Sequence, residues 1–205
     1  MYGKNRDYVS YSAIILWEKK PDQYRRQYYE DAPRLDNIYT RLGKEIHEKL
    51  EKNAEFFSEI DRTGLREQEI ITTISGIKVK AFIDYIDLRI PLIRDYKTSL
   101  TPWTPSKVLS HEQLPFYSLL VENEMGIKIR NADILWFETI KKENNIKRGG
   151  VKINLGTELF LSGYYEIIKR PSPITIAERT RIKKWLITKA EEIKIDYAKY
   201  KATNN

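Results

Sequence analysis

The chain has 205 residues, of which 41% are hydrophobic and 32% charged, which predicts a globular domain with a proper core and excludes an intrinsically disordered chain. No apolar run approaches the roughly 20 residues that span a bilayer, and the N-terminus lacks the pattern of a signal peptide, so we expect a cytoplasmic protein. The absence of cysteine excludes disulfides, cysteine-ligated zinc and cysteine-ligated iron–sulfur clusters.

The net charge of +7 is concentrated in the C-terminal third of the chain. Residues 1–140 contain 21 Lys and Arg against 22 Asp and Glu, whereas residues 141–205 contain 15 against 7. A basic region of this kind is typical of a surface that binds nucleic-acid phosphates. Lys-rich helices that merely face solvent explain the same composition, so the charge alone leaves both interpretations open.

The first part of the chain contains two predicted helices. Pro21 begins the first helix, over residues 21–30, because proline is favoured in the first turn of a helix. The second helix covers residues 37–57, where an apolar stripe at helical spacing begins at Ile38. Three strands are predicted next, over residues 67–75, 78–88 and 92–99, with a Ser-Gly turn between the first two.

Two carboxylates face each other in the predicted hairpin of the second and third strands. A tight turn pairs Leu88 with Pro91, and counting back from this pair places Asp84 opposite Asp95. Lys97 lies on the same face, because side chains two residues apart on a strand share a face. Opposed like charges destabilise a sheet, and a cation between them removes the conflict. The register therefore predicts a metal site at the two aspartates.

The second half of the chain alternates helix and strand before a long basic helix. A helix is predicted over residues 110–123 and a strand over residues 132–141. Residues 142–156 are predicted to form a polar, glycine-containing excursion, and residues 159–169 a strand that could pair back. Residues 175–199 have the pattern of a basic amphipathic helix. The order of helix, three strands, helix and strand predicts an α/β fold with a mixed sheet.

Four short motifs follow one another along these elements. They are Gly43 with His47 in RLGKEIHEKLE, Asp84 in AFIDYID, Asp95 with Lys97 in IRDYKTS, and Gln113 with Tyr117 in HEQLPFYSLL. Gly43 lies one helical turn before His47 and would let this helix approach the sheet closely. Any one of these motifs is weak, but the four in order, on compatible elements, are a specific signal.

The ordered set resembles the PD-(D/E)XK nuclease superfamily, in particular its RecB-like branch, over residues 8–140. The resemblance implies a restriction-endonuclease-like mixed sheet flanked by helices, with an αβββαβ core. It also implies one nuclease domain over residues 1–205, in which a hairpin and the basic helix occupy residues 141–205. Ile83 stands where the superfamily motif has proline, as is common in the RecB-like branch.

The resemblance implies a metal centre as well. Its ligands would be His47, Asp84, Asp95 and the carbonyl of Tyr96. Oxygen ligands suit Mg²⁺, and an imidazole beside them favours Mn²⁺. The four-cysteine iron–sulfur cluster of some relatives is excluded because the chain has no cysteine. An ion pair between Lys97 and either aspartate remains an alternative to the metal site.

Further residues take supporting roles in the resemblance. Lys97 orients or activates the attacking water, and Gln113 and Tyr117 contact the DNA backbone or this lysine. The alternative for Gln113 is a capping box with Ser110 at the start of the helix. Glu69, near the start of the first strand, is a weaker candidate for an additional acid.

The implied function is that of a metal-dependent deoxyribonuclease, an exonuclease in recombination, repair or phage DNA metabolism. Its partner would be single- or double-stranded DNA, bound by basic segments over residues 141–152 and 179–201. A non-catalytic nucleic-acid-binding module of the same fold and a restriction-type endonuclease are the alternatives. A homo-oligomer and a recombination-protein partner both stay open.

Overall fold

A mixed β-sheet lies at the centre of the computed structural model, which describes residues 1–33, 38–52, 64–148 and 151–204. In spatial order the strands are β1 (Leu65–Ile74), β2 (Ile77–Asp87), β3 (Leu92–Ser99), β4 (Asn131–Arg148) and β5 (Val151–Lys169). Strands β3 and β4 pair in parallel, and the other neighbours are antiparallel. This mixed sheet, with helices around it, confirms the predicted α/β fold class.

Helices cover both faces of the sheet. They are α1 (Tyr11–Lys19), α2 (Pro21–Tyr28), α3 (Ile38–Glu51), α4 (Pro105–Leu109), α5 (Gln113–Met125) and α6 (Ile176–Asn204). The larger apolar core lies between one sheet face and α1, α5 and α6. On the opposite face, Ile46 of α3 packs in a smaller cluster with Tyr85 and Tyr96. Within the described ranges, no helix is both long and apolar enough to cross a bilayer.

The hairpin of β2 and β3 has the predicted register. Tyr85 pairs with Arg94, and the same register sets Asp84 opposite Asp95 at the next position. The ladder between the two strands ends at Tyr85, so the backbone N–H of Tyr96 donates to the Asp84 carboxylate at 2.5 Å. The two acids therefore lie where β2 and β3 cease to bond to each other.

The sequence pattern predicts no helix over residues 11–19, where the structure has α1. Ser10 caps this helix, because its hydroxyl accepts a hydrogen bond from the backbone N–H of Ala13. The helix is short, and Ala13 and Ile14 are its fully buried residues. Helix α2 begins at Pro21 as predicted, and residues 53–57 of the predicted second helix lie outside the described residues.

The predicted excursion over residues 142–156 is wrong, because most of it is a hairpin. Strand β4 continues to Arg148 and β5 begins at Val151, and these two residues pair. The strand predicted over residues 159–169 does pair back on β4. Lys141 and Lys142 of β4 are exposed. Polar residues at successive positions hide the alternation by which a half-buried strand is recognised in a sequence.

Helix α6 is the predicted basic helix, and its apolar side completes the larger core. Ile182, Leu186 and Ile193 are buried at helical spacing. Arg179 lies in the segment predicted to bind phosphates, but it is buried and forms an ion pair with Glu122 at 3.0 Å. This guanidinium therefore supports the packing of α6 on α5, and phosphate binding by the rest of the segment over residues 179–201 stays a prediction.

Candidate active site

Three potential metal ligands converge where β2 leaves β3. They are His47 of α3, Glu67 of β1 and Asp84 of β2. The His47 Nδ1 atom lies 2.9 Å from Glu67 Oε1 and 3.5 Å from Asp84 Oδ1. One ligand atom from each side chain lies within 4.8 Å of the other two. An imidazole and two carboxylates at this spacing could hold one divalent cation.

Glu67 is a residue of this cluster that the sequence analysis did not single out. The β1–β2 register pairs Arg66 with Tyr85 and Gln68 with Ile83, which sets Glu67 opposite Asp84. Its backbone φ is +44°, a left-handed conformation that is uncommon and strained for a non-glycine residue. The signal for this residue is the predicted Ser-Gly turn, because counting back from the turn pairs Glu67 with Asp84.

Glu69, the acid that the sequence analysis favoured on this strand, does not join the cluster. It lies opposite Phe82 and forms an ion pair with Lys80. Glu69 and Glu67 share a face of β1 but have different partners, because only Glu67 reaches His47.

Asp95 has two nitrogen partners at the same carboxylate oxygen. Lys97 Nζ lies 2.6 Å and His111 Nε2 lies 3.3 Å from Asp95 Oδ2. The ion pair considered as the alternative for Lys97 is therefore present, beside the proposed ligands. His111 was not predicted, although it stands two residues before Gln113 in the same motif. Its ring packs against Trp103, with the centroids 5.1 Å apart.

A hydrogen-bonded chain continues from Lys97 onto α5. Lys97 Nζ donates to Gln113 Oε1 at 3.3 Å, and the Gln113 amide donates to the Tyr117 hydroxyl oxygen. Burial and then the charge of Asp95 raise the pKa of Tyr117 well above its ordinary value, so its hydroxyl stays protonated. The structure thus joins the lysine to the two α5 residues that the sequence motif placed beside it.

The capping box considered for Gln113 is absent. Helix α5 begins at Gln113, and Ser110 instead ends α4, where its hydroxyl donates to the carbonyl of Lys107. Pro115 falls in the first turn of α5, where its missing N–H leaves no helical hydrogen bond unmade. Gln113 is therefore available to bond to Lys97.

Burial and neighbouring charges give the two aspartates opposite pKa shifts. Burial, followed by the charge of Asp95, raises the pKa of Asp84 to about 7. Burial also disfavours ionisation of Asp95, but Lys97 and His111 outweigh it and hold the pKa of Asp95 below its usual range. Burial lowers the pKa of Lys97, but the adjacent Asp95 charge outweighs this, so the net shift is upward. At neutral pH the site contains an ionised Asp95 and a cationic Lys97.

The pKa of His47 is also raised. Burial disfavours its charged form, but the hydrogen bond to Glu67 and the charge of Asp84 outweigh the burial. Tyr96, whose carbonyl is a predicted ligand, has its ring buried beneath α3. Its N–H is the group that contacts Asp84, and the ligand role of its carbonyl stays a prediction.

Two cavities meet at Phe82, beside the acids. One, of about 540 Å³, is lined by His47 and Glu67, and the other, of about 360 Å³, by Gln113 and Tyr117. Phe82 lines both cavities, and 52% of its surface is exposed. The site is therefore open to a substrate from both sides of this ring.

Gly43 does not make the close approach to the sheet that its spacing from His47 predicts. A Cβ atom added at Gly43 would meet no described atom within 4 Å. The glycine instead lines the cavity of about 540 Å³ that contains His47. The orientation of His47 follows from its own contacts with Glu67 and Asp84.

Comparison with known proteins places the chain in a family. No curated protein matches it. Among solved structures, the protein SSO0001 is similar to this chain, with 15% sequence identity and a TM-score of 0.45. The match covers 90% of this chain and 77% of SSO0001. A candidate exonuclease from Eubacterium rectale is also similar, with 13% sequence identity and a TM-score of 0.39. That match covers 90% of this chain and 65% of the exonuclease. A sequence profile of the PD-(D/E)XK nuclease superfamily matches residues 8–205, and the chain therefore belongs to that superfamily.

Proposed function

We propose that this protein is a divalent-metal-dependent deoxyribonuclease that removes nucleotides from DNA ends. Family membership supports nuclease activity. The observation that carries the metal dependence is the cluster of His47, Glu67 and Asp84 beside the ion pair of Asp95 and Lys97. The choice of DNA ends is part of the proposal and follows from the RecB-like order of the motifs.

The donor set fits a hard divalent cation such as Mg²⁺ or Mn²⁺. Glu67 and Asp84 offer carboxylate oxygens and His47 an imidazole nitrogen, within 4.8 Å of one another. Asp95, opposite Asp84 in the hairpin, and the carbonyl of Tyr96 complete the proposed ligands. When bound, such a cation supplies a water of lowered pKa and stabilises negative charge on the phosphoryl oxygens.

Lys97 is the proposed electrostatic catalyst of the chain itself. Phosphodiester hydrolysis gathers negative charge on the phosphoryl oxygens, so a fixed ammonium stabilises the transition state more than the ground state. The raised pKa of Lys97 keeps this ammonium charged. Asp95 and Gln113 hold Nζ from two sides, which reduces the reorganisation required during the reaction.

His111 and Tyr117 are proposed as positioning residues. His111 contacts the same Asp95 oxygen as Lys97 and so limits the orientations of that carboxylate. Tyr117 accepts from the Gln113 amide, which directs the Gln113 oxygen towards Lys97. Both side chains thus act through the groups that they orient.

The proposal is tested with end-labelled linear DNA and closed circular DNA, each single- and double-stranded, in Mg²⁺, Mn²⁺ or EDTA. We expect release of nucleotides from linear DNA in either metal and none in EDTA. Lys97→Ala should lower the rate by at least about 100-fold, as removal of a preorganised charge-stabilising donor does. Lys78→Ala is the matched control, because Lys78 lies on the neighbouring strand and pairs with Asp7 at the surface.

The same assay contains the results that contradict the proposal. DNA binding without cleavage in either metal would favour the non-catalytic module. Digestion of closed circles as fast as linear DNA would favour a restriction-type endonuclease. An equal loss of rate in Lys78→Ala and Lys97→Ala would remove the special role of Lys97.

A further inference from the structure

We propose that the cavity of about 360 Å³ beside the acids is a subsite for one unpaired nucleotide, so that the enzyme engages its substrate as a single strand. Phe82 would stack on the base, and Arg6 would bind a backbone phosphate. This inference rests on the proposed nuclease function and adds a substrate class to it.

Phe82 is placed to contact a base next to the scissile bond. It precedes Asp84 by two residues on β2, so the two side chains share a face about 7 Å apart along the strand. The residue is 52% exposed, and Lys80 Nζ lies 5.0 Å from the ring centroid. An exposed aromatic ring beside a cation is the arrangement on which single-stranded nucleic acids stack.

Arg6 is a buried guanidinium whose described partners include no carboxylate. It is 8% exposed, and it donates to the carbonyl of Tyr8 and to the hydroxyl of Ser10, both at 2.9 Å. Its guanidinium also lies over the rings of Tyr8 and Tyr28. Burying a charge is costly unless an opposite charge accompanies it. The cavity that Arg6 lines is where an anion from outside the chain could supply that charge.

The lining of the cavity matches a nucleotide in its charge and in its hydrogen-bonding groups. Arg6 and Lys80 contribute basic side chains, of which Lys80 is paired with Glu69 outside the lining, and no described residue that lines the cavity is acidic. Ser10 and Ser12 add hydroxyl groups suited to phosphate oxygens. A nucleic-acid strand matches this combination of basic side chains, hydroxyl groups and an exposed aromatic ring.

An unpaired nucleotide fits better than a duplex. Inside a duplex both faces of a base are covered by its neighbours, so a ring in a cavity wall could stack only on the outermost pair of an end. A single strand offers each base face to an aromatic side chain, whatever the sequence. Gln113 and Tyr117 also line this cavity, which places the subsite directly beside the Lys97 network.

The first test measures binding alone, by fluorescence anisotropy in EDTA, so that no strand is cleaved. The probes are a labelled single-stranded oligonucleotide, the same strand with one abasic position, and its blunt duplex. Phe82→Ala and Phe82→Leu should weaken single-strand binding by about 5- to 150-fold, while Phe82→Trp retains it, because only Trp keeps an aromatic face. Duplex binding should not change in any of the three variants.

The abasic strand identifies the contact. The abasic position is moved along the strand, one nucleotide at a time. At one position, wild type should lose as much affinity as Phe82→Leu loses for the intact strand. Phe82→Leu itself should bind the intact strand and this abasic strand equally well. Arg6→Gln should reduce the slope of log affinity against log salt by about 0.7, as loss of one phosphate contact does on a single strand. Thermal unfolding of each variant checks that it is folded, and Arg6→Lys serves as a charge-retaining variant if Arg6→Gln unfolds.

Equal single-strand affinities for Phe82→Leu and wild type, or tighter binding of the duplex than of the single strand, would overturn the subsite. In that case cleavage in metal could still occur, and the nuclease proposal would survive. The expected Phe82 and Arg6 effects without cleavage in any metal would overturn the nuclease proposal and leave the subsite intact.

Discussion

Asp84 and Asp95 face each other across one hairpin but have different neighbours. Asp95 is bound by Lys97 and His111, both at the same oxygen. Asp84 is bound by the backbone N–H of Tyr96 and lies 3.5 Å from His47. Below about pH 7, Asp84 is therefore the protonated member of this pair and Asp95 the ionised one.

This asymmetry predicts an unusual pH dependence of stability in EDTA. The pKa of Asp84 is about 7 in the folded protein and about 3.9 in an unfolded chain. Between these values the folded state binds a proton that the unfolded state lacks, so this group's contribution to stability falls as pH rises and is lowest above pH 7. Asp84→Asn removes this penalty and should raise the melting temperature at pH 8 by at least about 2 °C.

Calorimetry at pH 5 and pH 8 checks the prediction. The gain from Asp84→Asn should be smaller at pH 5, where Asp84 of the folded wild type is already protonated. Adding Mn²⁺ at pH 8 should raise the melting temperature of the wild type more than that of Asp84→Asn. A gain of the same size at both pH values would contradict the role of ionisation.

The two glutamates of β1 provide a matched pair of variants for testing the proposed metal site. Glu67→Gln should weaken Mn²⁺ binding by at least about tenfold, because an amide oxygen is a poorer ligand than a carboxylate. Glu69→Gln removes the same charge two residues away and should leave the affinity unchanged, since Glu69 pairs with Lys80. Isothermal titration of the three proteins decides the matter, and equal affinities would exclude Glu67 as a ligand.

At the scale of elements, the sequence predicts features that depend on neighbouring residues, such as hairpin register, and misses features that depend on tertiary contacts. The turns after β1 and β2 determine the register, so the opposition of Asp84 and Asp95 follows from counting. Helix α1 escapes detection because it is short and depends on the cap at Ser10 and on tertiary packing. The position of His111 could not be predicted, because the α4–α5 connection brings it to Asp95 from 16 residues away.

Helix α3 provides a test of the role of Gly43. Gly43→Ala should stabilise the protein by about 0.5–1 kcal/mol, because glycine inside a helix costs that amount and the site has room for a methyl group. Gly3→Ala is the opposite case, since its Cβ would lie 2.5 Å from the carbonyl oxygen of Tyr28. Urea unfolding should show a gain for the first variant and a loss for the second. A loss of stability in Gly43→Ala would instead support the close approach of α3 to the sheet that the sequence predicts.

At the scale of the whole molecule, some basic residues of the C-terminal third form ion pairs within the fold, and others remain exposed on α6. Arg179 is committed to Glu122 in the interior, and Arg181 to Glu112 beside the start of α5. Trp185, one turn further, packs against Tyr11, a residue that lines the cavity with Phe82. This end of α6 therefore borders the proposed nucleotide path, which composition alone could not reveal.

The position of α6 predicts which of its lysines contribute to the proposed DNA binding. Lys184 is exposed, one turn from Arg181 and next to Trp185, whereas Lys199 is exposed four turns further along. Lys184→Glu should reduce the salt slope of DNA binding by about 0.7–0.9, and Lys199→Glu should change it little. Anisotropy titrations at several salt concentrations make the comparison. Identical slopes in the two variants would mean that the helix acts only through overall charge.

The left-handed backbone conformation of Glu67 lowers the stability of the protein at a residue that the proposed activity requires. A glycine at this position would relieve the local strain, because it adopts positive φ without cost. It would also remove an acid of the cluster. Repeated selection for thermal stability alone should therefore favour loss of this glutamate, and the surviving variants should be more stable proteins that lack one of the proposed metal ligands.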